Sequence, residues 1–124
     1  MPMMYSQSWK GSTMAKLVMS PEAKADLKEI AGYIAHKLNN PDAALRLLRR
    51  IKEDTSMLRK FPEMGTPLRK SGDVEYRYII CGSYMVFHHY QEDTVYIDRI
   101  LYGRRDYMAI LFGALLEDTD AEAQ

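Results

Sequence analysis

Apolar residues recur every three or four positions early in the chain, which places them on one face of an α-helix. The members of this face are Ala23, Leu27, Ile30, Ala31, Ile34 and Leu38. Ser20 and Pro21 precede it. Serine favours the N-cap of a helix and proline favours its first position. The pattern therefore predicts a helix over residues 21–38.

A second amphipathic stretch follows almost at once. The segment Asn39-Asn40-Pro41-Asp42 contains signals that end one helix and begin another. The apolar face beyond it holds Ala44, Leu48, Ile51, Thr55 and Leu58, widened by Leu45 and Leu47. We predict a second helix over residues 41–60. Because the connection is short, the two helices should form an antiparallel hairpin.

Much of the remaining chain is rich in Val, Ile and Tyr, which favour β-strands. Residues 16–19 predict a short strand before the first helix. The sequence predicts three consecutive strands later in the chain, over residues 75–81, 84–90 and 94–102. Between the second helix and these strands, residues 61–67 are dense in proline and glycine and predict a loop.

Turn signals connect the predicted elements. Gly82 and Ser83 fit a two-residue hairpin turn with glycine first. If that turn is strict, residue 77 pairs with residue 88 across the hairpin. Asp106 is placed to cap a short final helix.

The order of elements predicts an α+β fold with the arrangement β-α-α-β-β-β-(α). The economical packing places the two-helix hairpin on one face of a small, mostly antiparallel sheet. The other face is then left partly open, and we expect a partner to bind there.

Length and composition fit one folded domain. The chain has 124 residues, of which 47% are hydrophobic and 27% are charged. We predict that residues 14–116 form the domain, that residues 1–13 are a flexible N-terminal extension, and that residues 117–124 are an acidic disordered tail.

The charge is zero overall but unevenly distributed. Residues 14–116 carry 16 Lys and Arg against 13 Asp and Glu, a balance of +3, while residues 117–124 carry −4. A dedicated nucleic-acid-binding domain is usually far more basic. The balance argues against non-specific DNA coating and leaves room for a small basic site.

Other broad classes are disfavoured by the sequence. Cys81 is the only cysteine, so we predict neither a disulfide framework nor a metal cluster, and no cofactor. No apolar run approaches the roughly 20 residues of a membrane span, and residues 1–13 lack the apolar core of a secretory signal. We expect a cytoplasmic protein with no membrane partner.

The last predicted strand leads into Gly103, Arg104 and Arg105. An arginine is always charged, and its planar fork of donors suits phosphate or carboxylate. Together with Arg99 inside the strand, the pair predicts a sheet end that meets an anionic partner. The alternative is that Arg104 and Arg105 form a solvated turn.

The two arginines inside predicted strands need partners if they are buried. Arg99 is expected either to pair with a carboxylate such as Asp73 or Glu75, or to face the open cleft. Arg77 lies among tyrosines and an isoleucine. Both arginines are candidate binding residues.

His88 should lie opposite Arg77 if the hairpin turn is strict. A nearby cation lowers the pKa of a histidine and favours a neutral general base. The alternative is that His88 and His89 are sheet residues on the solvated side. A set of tyrosines either stacks on nucleic-acid bases or packs as ordinary strand residues: Tyr76, Tyr78, Tyr84, Tyr90, Tyr96 and Tyr102.

An ordered set of motifs resembles a known family. It consists of Phe61-Pro62-Glu63-Met64-Gly65 after the second helix, Arg77, the run from Gly82 to His88, and the run from Ile97 to Asp106. The set is similar to the ParE branch of the RelE/ParE superfamily, the toxins of type II toxin–antitoxin modules often called plasmid stabilisation proteins. The resemblance covers about residues 15–113.

The resemblance implies a toxin that arrests growth, with a cognate antitoxin as its partner. ParE-type members are associated with poisoning DNA gyrase. RelE-type members cleave mRNA at the ribosome without a metal. It also implies a homodimer or a toxin–antitoxin hetero-oligomer. The target- or antitoxin-binding residues would be Arg77, Arg99, Tyr102, Arg104 and Arg105, and the nuclease candidates would be Arg77, His88, Arg105 and Tyr107.

The sequence departs from the RNA-cleaving pattern of the superfamily, whose late catalytic Tyr or His has no clear match here unless Tyr107 serves. Met85 follows Tyr84 where the nucleases usually carry arginine, and Arg77 is the only cation where they offer lysines. Tyr102 replaces a histidine that is common before Gly-Arg-Arg. These departures favour a ParE-like toxin that acts by binding protein. A RelE-like endoribonuclease and a non-toxic binding module are the alternatives.

Overall fold

The first strand leads directly into a capped helix. The computed structural model describes residues 14–103 and 108–112. Strand β1 (Lys16–Met19) precedes helix α1 (Pro21–Gly32). The side chain of Ser20 accepts a hydrogen bond from the backbone N–H of Ala23 at 2.9 Å, so the predicted N-cap is confirmed.

The helical backbone continues past α1 as a π-helical turn, Tyr33–Lys37. Helix α2 (Pro41–Lys60) then begins behind Asn40, whose side chain accepts from the Ala43 N–H at 3.1 Å. The predicted helices are confirmed, but the first one widens in its last turn. Such π-turns occur frequently near functional sites.

Four further strands complete the described sheet. They are β2 (Thr66–Ser71), β3 (Val74–Cys81), β4 (Tyr84–Gln91) and β5 (Thr94–Tyr102). Among the described residues the strands lie in the order β1-β5-β4-β3-β2. β1 pairs with β5 in parallel and the other pairs are antiparallel, so the predicted fold class is confirmed.

Strand β2 corrects the predicted loop. The loop was expected to reach residue 67, and no strand was expected over residues 66–71. The segment lacks a clear apolar alternation, and it contains Pro67. It lies at the edge of the sheet and pairs with β3, with a register shift between Pro67 and Arg69. Proline is tolerated in edge strands, so the pairing with β3 defines this strand rather than local propensity.

The tight turn between β3 and β4 has the predicted register. Gly82 has a φ of +64°, which glycine adopts without strain. Cys81 pairs with Tyr84, and Arg77 pairs with His88. The turn alone therefore determines which of these side chains share a face of the hairpin.

The main core lies between the helical hairpin and one face of the sheet, here called the helix-covered face. Its buried members are Ala15, Ala23, Ile51, Leu58, Cys81, Val86, Val95, Ile97 and Ile100. The opposite face carries a smaller cluster of Met85, Phe87 and Leu101, packed against Leu68, Tyr78 and two residues of the short helix over 108–112, Ile110 and Leu111. The face expected to be partly open is therefore covered at one end by this short helix.

No helix within the described residues is long and apolar enough to cross a membrane.

Candidate partner-binding site

Arg77 and His88 lie opposite each other on the helix-covered face. Arg77 Nη2 donates to Glu75 Oε1 at 2.6 Å, and Arg77 Nη1 donates to the Gly65 carbonyl at 3.2 Å. The Arg77 side chain is only 18% exposed. Arg77 thus connects the loop after α2 to strand β3, and the hydrogen-bond donors of its guanidinium stabilise the fold.

His88 is fully buried. The expectation that it lies on the solvated side is wrong, because the Met64–Gly65 backbone and the core cover that side of the sheet. Neither ring nitrogen has a hydrogen-bond partner of normal geometry among the described residues, although the Met64 carbonyl is near enough to favour protonation slightly. With no exposed surface, His88 cannot touch a substrate in this structure.

Burial is the largest factor that lowers the pKa of His88, from 6.5 to about 4. The positive charge of Arg77 lowers the pKa further, as its position in the hairpin predicts, and His89 does the same. The ring is therefore neutral at neutral pH. The direction of the shift was predicted correctly from the hairpin register, but its main cause, burial, was missed.

Gly65 permits the loop to lie directly on the sheet. Its φ is +108°, and a Cβ at this position would lie 2.6 Å from the Tyr78 carbonyl oxygen and 3.1 Å from His88 Nε2. No other residue fits without moving the backbone of β3. The glycine of the Phe61–Gly65 motif is thus explained by a close approach between the loop and the sheet.

Arg99 is bound to Asp26 of α1, a partner that the sequence analysis did not identify. Arg99 Nε donates to Asp26 Oδ2 at 2.7 Å and Arg99 Nη2 donates to Asp26 Oδ1 at 2.9 Å. The N–H of Ile100 donates to the same carboxylate at 2.9 Å. The expected partners Asp73 and Glu75 are wrong. Arg99 does line a cleft on the face opposite the helices, as the alternative expected, but it is paired there with Asp26.

The two strand arginines lie on opposite faces of the sheet. Arg77 pairs with His88 on the helix-covered face, whereas Arg99 pairs with Phe87, whose side chain belongs to the opposite cluster. The structure therefore does not bring Arg77 and Arg99 into one basic site. The predicted roles of Arg104, Arg105, Asp106 and Tyr107 fall outside the described residues.

Tyr102 lies in an apolar groove, here called the α1-end groove. This groove has a volume of about 700 Å³ and lies between the end of α1, the π-turn, the start of α2 and the β4–β5 strand ends. Tyr33, Leu38 and Tyr102 are exposed there, at 54%, 56% and 41%. Further lining residues include Ile30, Ile34, Tyr84 and Ile100.

The α1-end groove has the character of a protein-binding surface. Its lining is mainly aliphatic and aromatic, and its acids Asp26 and Glu29 come from α1 alone. Exposed apolar side chains concentrated in one concave patch commonly mark interaction sites. The sequence signal was present, because Ile34 and Leu38 extend the apolar stripe of the first helix, but the sequence did not show that this end of the stripe is exposed.

A second polar pair was missed entirely. His89 Nδ1 and Asp98 Oδ2 are 2.7 Å apart on the face opposite the helices. The His89 ring stacks on Tyr96 at 5.0 Å between ring centroids and meets Tyr76 at 5.1 Å. The tyrosine faces are therefore turned toward neighbouring rings, which supports a packing role over base stacking at these positions.

Cys81 forms a buried polar contact with helix α2. Its Sγ donates to Asp54 Oδ2 at 3.1 Å. Burial, followed by Asp54, raises the pKa of Cys81 to about 12. The thiol is therefore protonated at neutral pH and unreactive.

The described residues contain no group of three or more His, Cys, Asp or Glu side chains that could hold a metal ion.

Comparison with known proteins gives consistent results. A family-wide sequence model, "ParE toxin of type II toxin-antitoxin system, parDE", matches residues 17–107. Among solved structures, the chain is similar to a chromosomal ParDE toxin–antitoxin system from P. aeruginosa, at 20% identity and a TM-score of 0.60, over 73% of this chain and 97% of that one. A comparison with curated protein sequences finds no match.

A second solved structure is similar as well, an archaeal RelE–RelB complex from Pyrococcus horikoshii OT3. The identity is 17% and the TM-score is 0.55, over 74% of this chain and 98% of that one. At these identities the two structures establish the shared fold.

Proposed function

The chain belongs to the ParE toxin family of type II toxin–antitoxin systems, and on this premise we propose that it arrests growth by inhibiting DNA gyrase and is neutralised by a cognate antitoxin. The proposed location is the cytoplasm, where gyrase acts. The toxin works by binding protein rather than by cleaving RNA.

One observation favours protein binding over RNA cleavage. The described side chains proposed for RNA cleavage are used by the fold itself. His88 is completely buried, and the guanidinium of Arg77 is held by Glu75 and the Gly65 carbonyl. A general base must reach the proton that it removes, and His88 has no exposed surface with which to do so.

The α1-end groove is the surface that best fits an antitoxin segment. An amphipathic helix or an extended strand can bury apolar side chains against Tyr33, Leu38 and Tyr102. Of the two solved structures with this fold, one is named as a ParDE toxin–antitoxin system and the other as a RelE–RelB complex, which supports a protein partner of this kind. We expect acidic residues of the antitoxin to approach the arginines beyond Tyr102.

Arg104 and Arg105 remain the proposed charged contacts with target or antitoxin. As charge-assisted donors, each should contribute about 1.5–3 kcal/mol to binding. Alanine at either position should therefore weaken binding roughly ten- to hundredfold. Lysine should rescue poorly because it keeps the charge and loses the fork.

The test of toxicity is controlled expression of the full chain in growing cells. We expect growth arrest with gyrase-linked DNA breaks and induction of the DNA-damage response, relieved by co-expression of the neighbouring gene product. Loss of translation with mRNA cut at codon positions would instead establish the endoribonuclease alternative. Expression without any loss of growth would establish the non-toxic binding module.

The test of the groove uses a matched pair of exposed apolar residues. Leu38→Lys lies in the α1-end groove, whereas Ile80→Lys lies on β3 outside it, and Ile80 is 60% exposed. We expect Leu38→Lys to weaken capture of the antitoxin at least tenfold and Ile80→Lys to leave it unchanged. Equal binding by both variants would place the antitoxin elsewhere.

A further inference from the structure

A second groove, here called the β1-edge groove, lies between strand β1 and helix α2. Its volume is about 710 Å³, and it shares no lining residue with the α1-end groove. Three exposed cations line it, Lys16, Lys52 and Arg59, and its described lining includes no carboxylate. None of the three forms a salt bridge with a described acid. The β1-edge groove therefore offers positive charge to an occupant.

Apolar side chains form the floor of this groove. Leu17, Met19 and Leu48 line it, and the first two pack against the main core. Successive side chains of a strand alternate between its two faces. On the other face of β1, Val18 is 44% exposed and lies on the same side as Lys16. An occupant beside β1 therefore meets apolar surface together with positive charge on both faces of the sheet.

Strand β1 has a free backbone edge along the groove. The N–H groups of Lys16 and Ser20 donate to carbonyls on the side of β5, at 3.0 and 2.9 Å. Backbone groups alternate in direction along a strand, so the N–H groups of Leu17 and Met19 point away from β5. Neither of these two has a hydrogen-bond partner among the described residues.

Helix α2 closes this edge at one end. Ala15 N–H donates to the Arg59 carbonyl at 2.8 Å, and Arg59 Nε donates to the Ala15 carbonyl at 3.0 Å. Beyond Ala15 the edge is open and runs alongside the groove. An unpaired edge of this kind is a template for another strand.

The two edges of the described sheet differ in how well they are protected against such pairing. Strand β2, at the other edge, contains Pro67, which has no N–H, and its register with β3 shifts between Pro67 and Arg69. Proline and bulges are features that prevent an edge from accepting a further strand. Strand β1 contains no proline and pairs with β5 in unbroken register. The β1 edge is therefore the one suited to pairing.

We propose that an extended segment of a partner protein, carrying both acidic and apolar residues, adds to the free edge of β1 as a further strand. The edge supplies backbone hydrogen bonds, and the β1-edge groove supplies apolar contacts and charge. Because both faces of β1 combine apolar surface with a cation, the matching pattern is a pair of apolar residues followed by a pair of acids. That pattern places both kinds of side chain on each face of the added strand.

A second copy of the chain is a poorer occupant. Two β1 edges paired with each other would bring the cations Lys16, Lys52 and Arg59 of both copies to one interface, and like charges there cost binding energy. The charge of the groove therefore favours an acidic partner. The proposal does not depend on the cellular target of the toxin, because the groove and the α1-end groove have separate linings.

The first test adds a synthetic peptide, a repeat of paired valines and paired glutamates, to the full chain at low salt. We expect saturating peptide to slow hydrogen exchange at the Leu17 and Met19 amides at least about tenfold. The same peptide with methylated backbone amides should bind at least about tenfold more weakly, because it cannot donate to the edge. A peptide with lysine in place of glutamate should be weakened similarly.

The second test alters the groove. Lys52→Glu should weaken binding of the glutamate peptide about tenfold, because it replaces an attraction with a repulsion. Lys70→Glu is the matched control, since Lys70 is an exposed lysine on the other edge strand, β2, and it should leave binding unchanged. The measured quantity is peptide binding rather than toxicity, so the result is separate from that of the gyrase proposal.

Four results would overturn the proposal. They are unchanged exchange at Leu17 and Met19 with the glutamate peptide, equal binding of the methylated peptide, equal binding of the lysine peptide, and equal effects of Lys52→Glu and Lys70→Glu. Slow exchange that rises with protein concentration in the absence of peptide would also overturn it, because the occupant would then be a second copy of the chain.

Discussion

Removal of the Asp26 carboxylate should destabilise the fold far more than its single charge suggests. Asp26 receives the fork of Arg99 and the N–H of Ile100, at distances from 2.7 to 2.9 Å. It stands where β1 has ended and the edge of β5 would otherwise be unpaired. Asp26→Ala therefore removes the ion pair with Arg99 and also leaves the Ile100 N–H at the edge of β5 without its acceptor.

The magnitude follows from burial. The Asp26 side chain is 10% exposed and that of Arg99 is 26% exposed. Removing one partner of a buried pair costs about 3–5 kcal/mol, and Arg99 can recover some hydration because it is partly exposed. We therefore expect Asp26→Ala to lower the free energy of unfolding by about 3 kcal/mol. The hydrogen bond to Asp26 also raises the pKa of Arg99, so that partner stays charged.

The assay is urea unfolding of the unaltered chain, Asp26→Ala, Arg99→Ala and the double variant. Glu29→Ala is the matched control, since Glu29 is an exposed acid on the same helix. The control should change the free energy of unfolding by less than about 0.5 kcal/mol. We expect a coupling energy above about 1 kcal/mol between Asp26 and Arg99. The structural role would be refuted if the effects of the two single variants on the free energy of unfolding were additive. It would also be refuted if Asp26→Ala lowered that free energy no more than the control does.

Three further predictions concern the loop, the buried histidine and the thiol. Gly65→Ala should lower the free energy of unfolding by about 2 kcal/mol or more, because its Cβ would meet the Tyr78 carbonyl. Gly72→Ala, also at positive φ but in open space, should lower it by about 1 kcal/mol in the same urea assay. The pKa of His88 is lower in the folded chain than in the unfolded chain, so the unfolded chain binds more protons between pH 6.5 and 4. The free energy of unfolding should therefore fall by up to about 3 kcal/mol as the pH drops through that window. The variant His88→Leu should lose this slope and the exposed-site variant His36→Gln should keep it, whereas equal slopes would contradict the assignment. Cys81 should resist iodoacetamide in the native chain at pH 8 and react fully in urea; rapid native labelling would show that its burial is transient.

Much of the fold could be predicted because its signals are local. Ser20 and Asn40 supply side-chain oxygens to the first N–H groups of the helices that follow them, and both caps were predicted from the sequence. Gly82 selects a two-residue turn, and that turn fixes the pairing of Arg77 with His88. Each of these features depends on residues within a few positions of one another.

Other features depend on distant parts of the chain. Strand β2 carries weak local signals and exists through its pairing with β3. The parallel pairing of β1 with β5 joins segments separated by both helices. Local propensity cannot show such pairings, because the stabilising partner is elsewhere in the sequence.

The candidate site shows the same division. The sequence by itself determined that Arg77 and His88 share a face and that a cation would lower the pKa of that histidine. Only the tertiary structure decided that the loop and the core cover that face, and that Arg99 binds Asp26, 73 positions away. The physical reason is that alternation along a strand orders side chains between two faces, whereas desolvation and ion pairing depend on which distant element packs over each face.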